Sequence, residues 1–91
     1  MSKDYDAAID RARRDLSNRL DLSVNEIVLQ SADSADFPDA VLGAPVEDEM
    51  SAQVITPGWR ISLQANGKNY EYRASGGRLR LFNFNGQNYR L

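Results

Sequence analysis

Between Trp59 and Ala65 the apolar residues Trp59, Ile61, Leu63 and Ala65 stand two apart, with Arg60, Ser62 and Gln64 between them. That period belongs to a strand with one buried face. Asn66-Gly67 follows at once and is a strong hairpin signal, because both residues tolerate positive φ; Lys68 to Arg73 then supplies the returning strand. Pro57-Gly58 reads as a further turn, so that Gln53 to Arg73 becomes strand, turn, strand, turn, strand. The sheet is antiparallel, and the rest of a short chain has to cover it.

The cover comes from the N-terminal side. Tyr5, Ile9, Ala12, Leu16 and Leu20 recur at three and four, with Ala8 widening the stripe, which predicts one amphipathic helix over Ser2 to Leu20. Ser2 or Asp4 can cap it, early aspartates and late arginines suit its dipole, and Asp10 can pair with Arg14. Ser23-Val24-Asn25-Glu26 has the form of a capping box opening a single turn. Ile27 to Gln30 is β-branched and apolar and predicts the first strand, ending at Ser31-Ala32-Asp33. Ser34 to Ser51 shows no period, and six acids and no base lie between Asp33 and Glu49. Its centre, Phe37 to Pro45, places Phe, Val and Leu among turn formers and predicts an ordered, packed loop. Disorder suits Glu47-Asp48-Glu49 better. Ser75-Gly76-Gly77 and Asn85-Gly86 are turns that bound a fourth strand and a short fifth one. Phe82 and Phe84 break the parity of Leu79 and Leu81, which calls for a bulge or for cover on both faces.

These elements predict one α+β domain over residues 1–91. Its N-terminal helix packs on a four- to five-stranded antiparallel sheet, and a long ordered loop joins strands 1 and 2. Tyr5, Ile9, Ala12, Leu16 and Leu20 should face Trp59, Ile61, Leu63 and the later strands. After Trp59 the bases Arg60, Lys68, Arg73, Arg78, Arg80 and Arg90 face one acid, Glu71, so an acidic loop folded over a basic sheet face neutralises both. Tyr70, Tyr72 and Phe82 beside those bases would make a single-strand nucleic-acid platform, but no RNA-binding motif accompanies them.

Composition removes most chemistry. With no Cys the chain has no thiol nucleophile, disulfide or thiolate metal site, and with no His it lacks the usual neutral-pH base and metal ligand. Asp33, Asp36 and Asp39 are spaced by three, unlike a calcium loop. Asp39 and Glu47 could form a hydrolytic carboxylate pair, although a domain this small rarely has a deep cleft. Lys3 and Lys68 stand at exposed positions, and the glycines are scattered turn formers. The expectation is therefore no enzyme, no metal and no cofactor. No apolar run reaches the length of a membrane span and Met1 opens no secretory segment, so a cytoplasmic location is expected, with no membrane partner.

Phe37-Pro38-Asp39, Leu42-Gly43-x-Pro45, Gln53-Val54-Ile55-Thr56-Pro57-Gly58 and Tyr70-x-Tyr72-Arg73 together resemble a family of small bacterial and plant domains of unassigned function. That family reads W-P-D-x-x-L-G-C-P, then Q-V-x-x-P-G-[YW]-x-I, then Y-x-Y-[HR]. Phe37 stands where its pattern has Trp and Ala44 where it has Cys, so a role using that thiol would be missing here. Gln53 to Gly58 is also similar to the Q-x-V-x-G hairpin loop of cystatins, with one extra residue. That resemblance implies a helix cradled by a sheet and a protease-inhibiting tip from Gln53 to Trp59.

The functional expectation is a non-catalytic module that binds a protein partner. Its contact residues would be Phe37, Pro38, Asp39, Leu42, Gly43 and Pro45 of the loop, with Pro57, Gly58 and Trp59 at the turn, because apolar residues held by Pro and Gly are preorganised.

Overall fold

The computed structural model describes residues 3–47, 49, 50 and 52–91. Helix α1 (Lys3–Leu20) is followed by a single 3-10 turn (Val24–Glu26) and five strands: β1 (Val28–Phe37), β2 (Thr56–Ala65), β3 (Lys68–Ser75), β4 (Arg78–Phe84) and β5 (Gln87–Arg90). The strands form one antiparallel sheet in sequence order, β1-β2-β3-β4-β5. This is the α+β arrangement the sequence predicts.

Helix α1 covers one face as its stripe requires. Ala8, Ala12 and Leu16 are buried against Ile61, Leu63, Tyr72, Ala74, Leu79 and Leu81, with Ile9, Leu20 and Trp59 at the margin. The small side chains at Ala8 and Ala12 allow the helix to lie close to the sheet. Tyr5 meets Trp59 edge to face at 5.6 Å, and Tyr72, fully buried, donates its hydroxyl to Asp15 at 2.7 Å. Burial, reinforced by that hydrogen bond, raises the Tyr72 pKa above its usual range. The Asp10–Arg14 pair forms at 3.3 Å. The cap assigned to Ser2 or Asp4 lies outside the described side chains. The capping box is present, with Ser23 Oγ accepting from Asn25 N–H and Glu26 Oε2 accepting from Ser23 N–H at 2.9 Å.

The turns divide into two groups. Asn66-Gly67 and Asn85-Gly86 have positive φ at both residues and close tight hairpins, as their chemistry demands. Pro57-Gly58 does not turn. Both residues lie inside β2, opposite Asp36 and Ala35 of β1. Glycine is needed there for close approach, since a Cβ at Gly58 would stand 2.0 Å from the Ala74 carbonyl oxygen. The strand expected to begin at Gln53 is absent, and 52–55 has no regular structure.

β1 is longer than its apolar start suggests and runs on to Phe37. A bulge between Leu29 and Ser31 shifts its parity, so Leu29 and Ala32, three apart, both face the helix side opposite Leu63 and Ile61. The parity break at Phe82 and Phe84 has the same origin. Asn83 adopts φ 54°, and the register shifts between Leu81 and Phe84. Phe82 therefore stays under Arg73, while Phe84 packs beside Tyr70 and Tyr89.

Candidate functional site

The sheet face opposite α1 carries a transverse row of charge. Cross-strand partners run Asp33, Arg60, Arg73, Arg80, Arg90 from β1 to β5. Adjacent like charges repel, and each arginine is compensated locally. Glu71 takes Arg73 Nε at 2.7 Å and Arg60 Nε at 3.3 Å. Glu49 takes both arms of Arg80 and, at 3.2 Å, Arg90. The Arg73 guanidinium lies 3.8 Å from the Phe82 ring centroid and 5.6 Å from that of Phe37.

The segment between β1 and β2 closes over this row, as the charge division predicts, but it does so largely with its backbone. Arg78 donates to the Ala40 carbonyl, Arg73 to those of Leu42 and Gly43, Arg80 to that of Ala44, and Asn88 to that of Pro45. The loop builds its own bend: the Asp39 carboxylate accepts from Val41 N–H at 3.2 Å and Gly43 N–H at 2.8 Å, and Leu42 and Gly43 both have positive φ. A Cβ on Gly43 would stand 2.8 Å from Arg73 Nη1, so that position needs glycine for two reasons. Phe37, Val41, Leu42 and Ala44 are buried. The P-D-x-x-L-G sequence thus describes a strap tied to an arginine row.

Phe37 and Leu42, 1% and 0% exposed, are packed inward. Asp39 and Gly43 are half-buried in the bend, and Pro38, Pro45 and Pro57 are exposed. Gly58 is wedged against β3, and Trp59 packs on Tyr5. Loop and supposed tip do not form one apolar surface. Gln53 to Trp59 is not a hairpin tip, because its second half is strand β2. Glu49, expected in a disordered flank, is 11% exposed and anchored by two arginines; Asp48 lies outside the described residues. The basic face is roofed, and of the three platform aromatics only Phe82 lies on it, beneath Arg73. Among the described residues no group of His, Cys, Asp or Glu is arranged to hold a metal ion.

An unpaired surface remains at the other side of the sheet. β1 is a terminal strand ten residues long, and among the described residues nothing hydrogen-bonds to its outer edge. Exposed apolar residues bracket it: Val28 opens the strand, and Ile55, 72% exposed, precedes the Thr56 that pairs with Phe37. Beside it runs an open groove of about 600 Å³ lined by Tyr5, Ile9 and Arg13 of α1 and Leu29 of β1, with Asp6 and Asp10 at its rim. The Arg13 Nε is buried there without a hydrogen-bond partner. The sequence assigns the late helix arginines to the helix dipole, yet Arg13 continues the i, i+4 row of Tyr5 and Ile9, which was the available signal for its burial.

One helix on a five-stranded antiparallel sheet, with a strap on the second face, defines a small α+β domain. The chain belongs to the family described as a domain of unknown function (DUF8738), which matches residues 9–82, from the helix through Phe82. No match was found among curated proteins or among solved structures. No helix is long and apolar enough to cross a membrane.

Proposed function

We propose that this domain is a non-catalytic protein-binding module that takes up an extended segment of its partner as an added strand on the outer edge of β1. The observation that carries this reading is the edge itself. A ten-residue edge presents a row of backbone donors and acceptors to solvent, and proteins normally blunt such edges with charges, Pro, bulges or a covering element. β1 carries one bulge at its start and two aspartates, Asp33 and Asp36, but from Ser31 onward it is a regular strand with no Pro, no Lys and no covering element among the described residues, and its other side chains there are mostly small: Ser31, Ala32, Ser34 and Ala35. Strand addition draws affinity from main-chain hydrogen bonds and specificity from pockets alongside. The loop Phe37–Pro45 supports the sheet in this reading, since its largest apolar side chains are already buried. The carboxylates once paired for hydrolysis fit the same view, because Asp39 is engaged by its own loop N–H groups. Protease inhibition through Gln53–Trp59 lacks its protruding tip.

Selection of short random peptides displayed on phage, followed by amide chemical-shift mapping of the enriched ones, tests the reading. Enriched peptides should shift the amides of 28–37 and leave those of β5 unchanged. Peptides that map to the strap, or a selection that enriches nothing above background, would overturn it.

A further inference from the structure

The chemistry of the edge narrows the partner. We infer that the added strand is a basic segment with Lys or Arg interleaved among apolar residues, seated so that the Arg13 guanidinium donates to one of its backbone carbonyls. This rests on the strand-addition reading above.

Charge is the first argument. Asp33 and Asp36 are exposed on β1, and Asp6 and Asp10 are exposed on the groove rim. Asp10 is paired with Arg14, but Asp6, Asp33 and Asp36 have no ion pair among the described residues. The acids lie on both sides of the edge, because Asp33 sits opposite Arg60 on the strap face and Asp36 opposite Pro57 on the helix face. A second copy of the chain is disfavoured as occupant, since β1 laid against itself brings two acidic strands together and like charges across a strand pair repel.

The second argument is independent of those acids. On the strap face, three arginines donate side-chain N–H groups to carbonyls of a segment lying against the sheet: Arg73, Arg78 and Arg80. Arg13 has the same chemistry on the helix face, beside a bare strand edge, and its buried Nε has no acceptor. The Nε itself is closed off from solvent, but Arg13 as a whole is only part-buried and lines the groove, so its terminal N–H groups are the donors within reach of an incoming carbonyl. Tyr5, Ile9 and Leu29 beside it receive an apolar side chain from the same segment.

The test uses fluorescent peptides of about ten residues, the length of β1. One alternates lysine and valine, one alternates glutamate and valine, and one carries a central proline in the lysine series. Anisotropy titrations at two salt concentrations are run on the wild type and on Arg13→Gln, with amide shifts mapped. The lysine peptide should bind at least about tenfold more tightly than the glutamate peptide, shift 28–37 and lose affinity with salt. The proline peptide should lose most binding, and Arg13→Gln should weaken the lysine peptide by about tenfold. If both charge types shift 28–37 equally, the basic preference falls while strand addition stands. If no peptide shifts 28–37, both fall. Undiminished binding of the proline peptide would reduce the contact to bulk charge and overturn the proposal, as would an Arg13→Gln variant that binds like wild type. A dimer in sedimentation that shifts the β1 amides would name a second copy instead and overturn it too.

Discussion

Arg80 and Glu49 meet as a fork: Nη1 and Nη2 of the arginine donate to Oε1 and Oε2 of the carboxylate at 2.6 and 2.5 Å. This contact ties the far end of the strap to β4. The hydrogen bond from Arg80, aided by Val46 N–H and the nearby Arg90 charge against the opposing effect of burial, holds the Glu49 pKa down to about 2.

Acid should therefore loosen the strap. Glu49 has a folded-state pKa below its unfolded value, so its contribution is complete above about pH 5 and is lost as pH falls toward 2. With screening allowed for, the loss is on the order of 2 kcal/mol. Urea midpoints measured from pH 6 to pH 2 should decline over that window, and Glu49→Gln should be less stable at pH 6 and decline less.

Arg73 ties the bend of the strap, donating to two successive carbonyls. Arg73→Met removes its donors from the Leu42 and Gly43 carbonyls and leaves Glu71 only the half-exposed Arg60. A cost of about 3 kcal/mol is expected. Amide exchange should accelerate at Gly43 and Ala44 well before it does in α1.

Gly58→Ala should be among the most damaging small substitutions in the chain. Its methyl group would enter the space of the Ala74 carbonyl oxygen, which is backbone and cannot swing aside. A loss of about 3 kcal/mol or more, or failure to fold, is expected on overpacking grounds. Thermal unfolding of the variant checks this, with Gly77→Ala, which meets open space, as the tolerated control.

Ala44, in the strap, has its side chain fully buried where the resembling pattern has cysteine. Ala44→Cys should fold, and its thiol should react with an aromatic disulfide reagent only when the strap opens or the protein unfolds. Rapid labelling of the native protein would contradict the burial.

The parts legible in the sequence were those with a local cause. The i, i+4 stripe of Ala8, Ala12 and Leu16, the positive-φ turn at Asn66-Gly67 and the Ser23–Glu26 capping box each depend on residues close in the chain. Pro57-Gly58 misled because the same dipeptide that commonly turns a chain here answers a carbonyl on β3, a neighbour that appears only once the sheet exists. β1 was cut short because its bulge spaces Leu29 and Ala32 by three, which no strand period contains. Arg60, Arg73, Arg80 and Arg90 look scattered in sequence and become a row only through the register. The open edge was hidden for the same reason, since which strand lies outermost is a property of the sheet order.

The connections within the sheet are unequal in length. β2, β3, β4 and β5 follow one another through turns at Asn66-Gly67, Gly76-Gly77 and Asn85-Gly86, whereas β1 reaches β2 across 38–55. Short closures form quickly and long ones pay more chain entropy first. Assembly is then expected to run from a β2–β5 meander to the docking of β1 and its strap, with amide protection in pulse-labelled refolding appearing at Leu63 and Tyr72 before Ala35. The strand we propose as a partner's docking edge is, by this order, the last one the chain adds for itself.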